Sequence, residues 1–183
     1  MSKNKVRSVI AIGIGTALFI LISYVNIPVI FISDISFQPR VALLACISAL
    51  FGPIVGGAVG LFGHAFSDLL LYGELWWSWI LPEAVTGLII GFFSPAFKIK
   101  EGGFNAKCVV FFNLIQIIAN ALAWILIAPV LDILIYKAPS DMTFSQGSIA
   151  FVANILSIGI ISSIILLACS LMKLKMSGII KKK

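Results

Sequence analysis

Charge is what this sequence has least of. Among its 183 residues only 11% are charged, 13 Lys and Arg against 7 Asp and Glu, and there is a single histidine. A water-soluble domain carries about 25% charged and about 45–50% apolar residues. Here the apolar share is 61% and the mean hydropathy +1.14. A water-facing surface cannot be built from what remains, so the solvent is the bilayer. A secreted enzyme, a Rossmann domain and a nucleic-acid-binding module are thereby excluded. Other absences narrow the field further. Cys46, Cys108 and Cys169 lie far apart in apolar runs with no CxxC or zinc-like spacing, and read as small buried hydrophobes. A lone histidine allows no His-rich metal site, and no HExxH or GxSxG pattern occurs, so no metal, cofactor or catalytic residue is called for. There is no GxxxxGK[ST] phosphate loop, so any ATP must be hydrolysed by a partner. No A-x-A-like cleavage site precedes Pro28, which makes the first apolar run a permanent span rather than a signal peptide. No internal repeat is visible, which disfavours a carrier of two inverted halves.

What is present is a series of apolar runs. A crossing helix needs about 20 residues at 1.5 Å each. The spacing predicts an all-α integral membrane protein with six transmembrane helices in one domain, over about residues 6–26, 39–51, 53–72, 76–96, 105–128 and 147–172. The apolar stretch from Pro39 to Tyr72 is too long for one crossing and is divided at Gly52-Pro53, where proline cannot continue a helix. Gly56, Gly57, Gly60 and Gly63 make the third span an interior helix that packs closely. Pro129 is expected to end or kink the fifth span before a wetter stretch from Asp132 to Gln146. Six spans put both termini on one face. That face, with the Gly52-Pro53 hinge and the Lys98–Lys107 connector, collects 11 of the 13 basic residues and only one acid, Glu101. The positive-inside rule makes it cytoplasmic, and Lys181–Lys183 reads as a lipid-headgroup tail.

Ionisable groups within spans cost about 2.5–3.5 kcal/mol near the bilayer centre, so each is a functional candidate. His64 and Asp68, four apart, share a helical face; they pair with each other, or hold substrate, or relay protons. Glu83, following Pro82, has no evident partner on its own helix and is the stronger pocket candidate. Asn113, Gln116 and Asn120 form a polar stripe continuing to Trp124, and the last span offers Asn154. The lower amides read as interhelical glue, whereas Asn120, Trp124 and Asn154 are placed to face the same cavity as the acids. Trp76, Trp77 and Trp79 sit in one connector, either as interfacial anchors or as an aromatic lid with Gly73 as its hinge. Such a cavity suits a small, polar, ring-containing nutrient. Ala11-x-x-x-Gly15 and Gly13-x-x-x-Ala17 on the first span read as a surface on which another helix docks.

The runs Gln38-Pro39-Arg40-Val41-Ala42-Leu43-Leu44, Phe51-Gly52-Pro53-Ile54-Val55-Gly56, Gly63-His64-Ala65 with Asp68, Tyr72-Gly73 with Trp76-Trp77-Ser78-Trp79, and Gly87-Leu88-Ile89-Ile90-Gly91 carry a resemblance. Over about residues 38–92 the chain resembles the substrate-binding S components of energy-coupling factor (ECF) vitamin transporters, in the riboflavin-type or uncharacterised group; elsewhere the agreement is in length and span count. The resemblance implies a six-helix S-component bundle in a bacterial plasma membrane. It implies capture of a small vitamin from outside, loop closure, and toppling in a complex with a membrane T subunit and two cytoplasmic ATP-binding subunits. It also implies docking through the small residues of the first helix, and places Arg40 in the group's signature region. Glu83 can accept hydrogen bonds from an aminopyrimidine, a pyridinol or a flavin imide, so hydroxymethylpyrimidine, pyridoxine and riboflavin are all candidates. The competing reading is a stand-alone proton-coupled secondary carrier in which His64 and Asp68 form the relay.

Overall fold

The computed structural model describes residues 3–25, 27–28 and 36–181. Asn26, the expected end of the first span, and Lys182 and Lys183 of the basic tail lie outside the described residues. The described residues form six helical rods. The first four are α1 (Lys3–Ser23), α2 (Pro39–Phe51), α3 (Pro53–Leu71) and α4 (Trp77–Phe92). The fifth is continuous through α5 (Ala106–Asn120), a π-helical segment (Ala121–Ile127) and α6 (Ala128–Tyr136). The sixth runs through α7 (Ser140–Ser157), a second π segment (Ile158–Ser162) and α8 (Ser163–Lys181). Between α1 and α2 a two-residue antiparallel pair forms, β1 (Ile27–Pro28) with β2 (Ser36–Phe37). Rods one, three, five and six are long and apolar enough to cross a membrane, while α2 and α4 are shorter apolar helices. Their outward faces carry Ile, Leu, Val and Phe side chains, a surface that hydrocarbon solvates and water does not.

Local chemistry sets the breaks. Gly52 separates α2 from α3 at φ +91°, a conformation that favours glycine, and Pro53 starts α3 where its missing N–H costs nothing. Asn105 caps α5, its side chain accepting from the Lys107 and Cys108 amides at 3.1 and 3.2 Å. Two expectations need correcting. The fourth helix stops at Phe92, and Ser94–Phe97 forms a separate 3-10 turn. The fifth rod does not stop at Pro129 but runs to Tyr136, so the wetter stretch is helical except at residues 137–139. A proline ring clashes with the carbonyl four residues back; the wider π turn over Ala121–Ile127 relieves that crowding, and the helix passes through.

The tightest packing is between α3 and α4. A Cβ added at Gly60 would stand 2.7 Å from the Glu83 carbonyl oxygen, and one at Gly91 would stand 2.6 Å from Pro53 Cα. Gly56 and Gly87 press on each other's backbone in the same way. Helix α1 lies on α2 and α3, with Phe19 fully buried and covering Gly63. A larger cluster built on Phe97, Phe104, Phe112, Ile158 and Leu166 fills the end of the bundle nearer the chain termini.

The first-helix small residues divide between two faces, which corrects their reading as one docking surface. Gly15 is buried, and a Cβ there would meet both Ile47 and Val59 at 2.9 Å; Ala11 packs against the same core cluster. Gly13 has nothing within 4 Å, and Ala17 is exposed beside it. Gly15→Leu is therefore expected to destabilise the subunit itself by about 1–3 kcal/mol through overpacking, whereas Gly13→Leu leaves its melting temperature in detergent unchanged. Equal melting temperatures for the two variants would contradict this division.

Candidate functional site

At the end of the bundle opposite the chain termini, the first turns of α2, α4 and α7 and the last turns of α3 and α6 surround an open cavity of about 490 Å³. This is within the usual range of about 300–1,000 Å³ for a small-molecule pocket. One wall is acidic and aromatic. His64 and Asp68, one turn apart on α3, both line it, with His64 Nε2 3.5 Å from Asp68 Oδ1. Asp68 Oδ2 also accepts from the Trp76 amide at 3.2 Å. Arg40 enters from α2, donating through Nε to Gln38 Oε1 at 3.1 Å and lying over the Phe19 ring.

Asp132 on α6 closes the opposite side. It accepts from Ser78 Oγ at 2.5 Å and from Trp79 Nε1 at 3.2 Å, and so ties the start of α4 to the fifth rod. Tyr136, one turn on, packs against the Trp76 ring at 5.6 Å, and its hydroxyl accepts from the Trp77 amide at 3.0 Å. Trp76 carries no cap of its own side chain, so the exposed donors at the start of α4 are met from α3 and α6.

The structure brings together Arg40, His64, Asp68, Trp76 and Trp79 on one cavity surface. Glu83 is only 1% exposed and lies beneath that surface, with Oε2 3.9 Å from His64 Nδ1. Trp77 is not among the lining residues; its side chain is 44% exposed. Asn120, Trp124 and Asn154 are buried but do not line the cavity either, contrary to their expected placement. Asn120 donates to the Gln116 carbonyl at 2.8 Å. Lower on the stripe the amides act as glue: Asn113 Nδ2 donates to Ser163 Oγ at 3.0 Å and Gln116 Nε2 to the Ile155 carbonyl at 3.4 Å.

Sequence reasoning missed Asp132, Tyr136, Gln38, Tyr72, Thr143 and Gln146, all lining residues. An acid one turn past Pro129 in an otherwise apolar run is the available signal for Asp132, which the sequence reading places in the wetter stretch beyond the fifth span. The others carry no local signal, because only the meeting of five helix ends places them together.

The comparisons with known proteins agree along the whole chain. The family model described as ECF-type riboflavin transporter, S component, matches residues 3–171. A UPF0397 protein of Lactobacillus gasseri is 43% identical over 185 residues, covering 99% of this chain and 100% of the relative. A UPF0397 protein of Staphylococcus aureus is 42% identical over 178 residues, covering 97% and 96%. One from Exiguobacterium is 41% identical over 167 residues, covering 91% of each.

The two neighbouring tryptophans separate site from surroundings. If the cavity holds ligand, Trp79→Ala lowers affinity by about tenfold or more, since a stacked ring contributes about 1–3 kcal/mol beyond its replacement. Trp77→Ala leaves affinity within about twofold. Isothermal titration of the purified variants with hydroxymethylpyrimidine, pyridoxine and riboflavin decides it, and a larger loss from Trp77→Ala would remove the cavity assignment.

Proposed function

This chain belongs to the ECF-type riboflavin transporter S-component family, and from that membership we propose that it captures a small water-soluble vitamin or precursor from outside a bacterial cell. Members of the family are membrane substrate-binding subunits of transporters, not enzymes. The candidate ligands are hydroxymethylpyrimidine, pyridoxine and riboflavin, each a polar ring that the aromatic and acidic cavity suits. Delivery then needs a membrane T subunit and two cytoplasmic ATP-binding subunits, since the sequence carries no phosphate loop of its own.

The observation that carries this reading is the opposition of the cavity to the basic end of the bundle. Lys5, Arg7, Lys98, Lys100, Lys107, Lys173 and Lys175 belong to the end where the chain begins and finishes, whereas the cavity opens at the other end beside Asp68 and Asp132. With the basic end cytoplasmic, and both termini with it, the cavity faces outward. The outward face of α1 around Gly13 and Ala17, flanked by Ile10, Ile14 and Leu18, is the part of the small-residue pattern left for a partner helix.

A second reading draws on one specific contact set. His64 lies between two carboxylates, Asp68 at 3.5 Å and Glu83 at 3.9 Å, an arrangement that a proton-coupled carrier would also need. Uptake of labelled vitamin by cells expressing the chain distinguishes the two. Uptake that disappears when the T subunit or the ATP-binding subunits are deleted is the expected result. Uptake that persists without them, and follows an imposed pH gradient in vesicles, would establish the carrier instead.

A further inference from the structure

Beneath the open cavity, one helical turn further into the bundle, lies a second polar layer. His64 is one turn deeper than Asp68 on α3, Glu83 one turn deeper than Trp79 on α4, and Asn120 one turn deeper than Trp124 on the fifth rod. Among the described residues, five buried side-chain positions here have no hydrogen-bond partner: His64 Nδ1, Glu83 Oε1 and Oε2, Asn120 Oδ1 and Trp124 Nε1. Buried polar atoms in native proteins are nearly always paired, because an unmet donor or acceptor forfeits about 1–3 kcal/mol and a charged one more. One such atom is unremarkable, but five on three adjoining helices mark this layer as a candidate for binding a polar group.

Trp79 stands between this layer and the open cavity. Trp79 lines the cavity, meets Trp124 edge to face at 5.3 Å, and is held in that position by its Nε1 bond to Asp132. His64 is the group common to both layers, lining the cavity while its Nδ1 side faces Glu83.

We infer that Glu83, Asn120, His64 and Trp124 form a deeper compartment, reached past Trp79, that takes the donor-bearing edge of a heterocyclic ligand: an amino group beside a ring nitrogen. This rests on the substrate-capture role proposed above and adds to it which edge is read and by which atoms. The inventory decides the chemistry. Glu83 presents two acceptor oxygens, Asn120 a third, and His64 Nδ1 a fourth acceptor when its Nε2 carries the proton toward Asp68, against one indole donor, so the compartment matches a ligand edge rich in N–H. An amino group beside a protonated ring nitrogen offers two parallel N–H donors, the arrangement that a carboxylate accepts in bidentate fashion. A flavin edge places a carbonyl on each side of its single N–H, and both would face acceptor oxygens of Glu83 and Asn120. The compartment therefore discriminates against the flavin, and Trp79 with its Asp132 tether is the positioning element that closes it.

The full chain, purified in detergent, is titrated with three probes: hydroxymethylpyrimidine, its N,N-dimethylamino analogue, which has lost both amino donors, and riboflavin. Hydroxymethylpyrimidine is expected to bind at least about tenfold more tightly than either of the others, the difference made by one or two charge-assisted hydrogen bonds. Glu83→Gln should remove most of that preference while leaving the melting temperature of the unliganded protein in place. Trp124→Phe should abolish a component of the ligand-induced change in tryptophan fluorescence. Equal affinity for the amino and dimethylamino probes overturns the inference, as does failure of hydroxymethylpyrimidine to bind. So does tighter binding of riboflavin that is indifferent to Glu83→Gln; in that case the capture role stands and only the deeper compartment falls. The capture role fails separately, by uptake that needs no T subunit.

Discussion

Everything at the cavity depends on how closely α3 and α4 approach. Within lipid no hydrophobic force drives two helices together, so their contact must come from packing and from polar groups. Here Gly56 and Gly60 on one helix and Gly87 and Gly91 on the other leave no room for a Cβ of their own at the crossing, and backbone meets backbone. That separation allows His64 and Glu83, on different helices, to come within 3.9 Å. A methyl group at Gly60 would push against the carbonyl of Glu83 itself, and so displace the residue as well as the helix. The glycines that sequence composition offers as packing devices are thus also the residues that set the geometry of the site.

The same constraint explains why the buried acids are not equivalent. Asp132 is fully engaged by Ser78 and Trp79, and Asp68 by the Trp76 amide and His64. Asp68 meets a backbone donor at the uncapped start of α4, and Asp132 anchors the same turn through the side chains of Ser78 and Trp79. Glu83 has no such duty: neither of its oxygens accepts a hydrogen bond and its ionisable neighbour is His64 Nδ1 at 3.9 Å, although it is the most buried of the three. Burial of a carboxylate without a partner is costly in any protein, and more so within a membrane bundle. The difference between acids that hold the frame together and an acid held ready by it is visible only once the partners are known.

Local sequence marks only part of this arrangement. The division at Gly52-Pro53 is a local matter of proline and glycine geometry, and hydropathy alone marks the apolar rods. Glu83 was recognisable because nothing on its own helix could satisfy it. Gly15 and Gly13 differ by two residues, a half-turn of helix, and no local pattern says which faces Ile47 and which faces outward. Pro129 by its usual preference ends or kinks a helix, but a π turn lets the fifth rod continue, and that continuation carries Asp132 and Tyr136 to the rim of the cavity. A helix stop at Pro129 would have left both in a loop and the start of α4 without its partners.

The two walls of the cavity consequently differ in kind. The α3–α4 wall is fixed by backbone contact and cannot slide without a clash between main-chain atoms. The opposite wall is built from the two rods that contain π turns, at Ala121–Ile127 and Ile158–Ser162, where the hydrogen-bond register is already shifted from that of an α-helix. Gly147 on α7 fits directly against the Trp124 carbonyl within the first π turn, so the sixth rod is seated on the irregular part of the fifth. Trp79 and Trp124 meet where the rigid wall joins the irregular one. A ring on a fixed helix, tethered through Asp132 to a helix with an altered register, responds to any shift of that register by changing its contact with the cavity. The Asp132 tether is therefore a second link between cavity shape and bundle packing, beside the fixed glycine crossing.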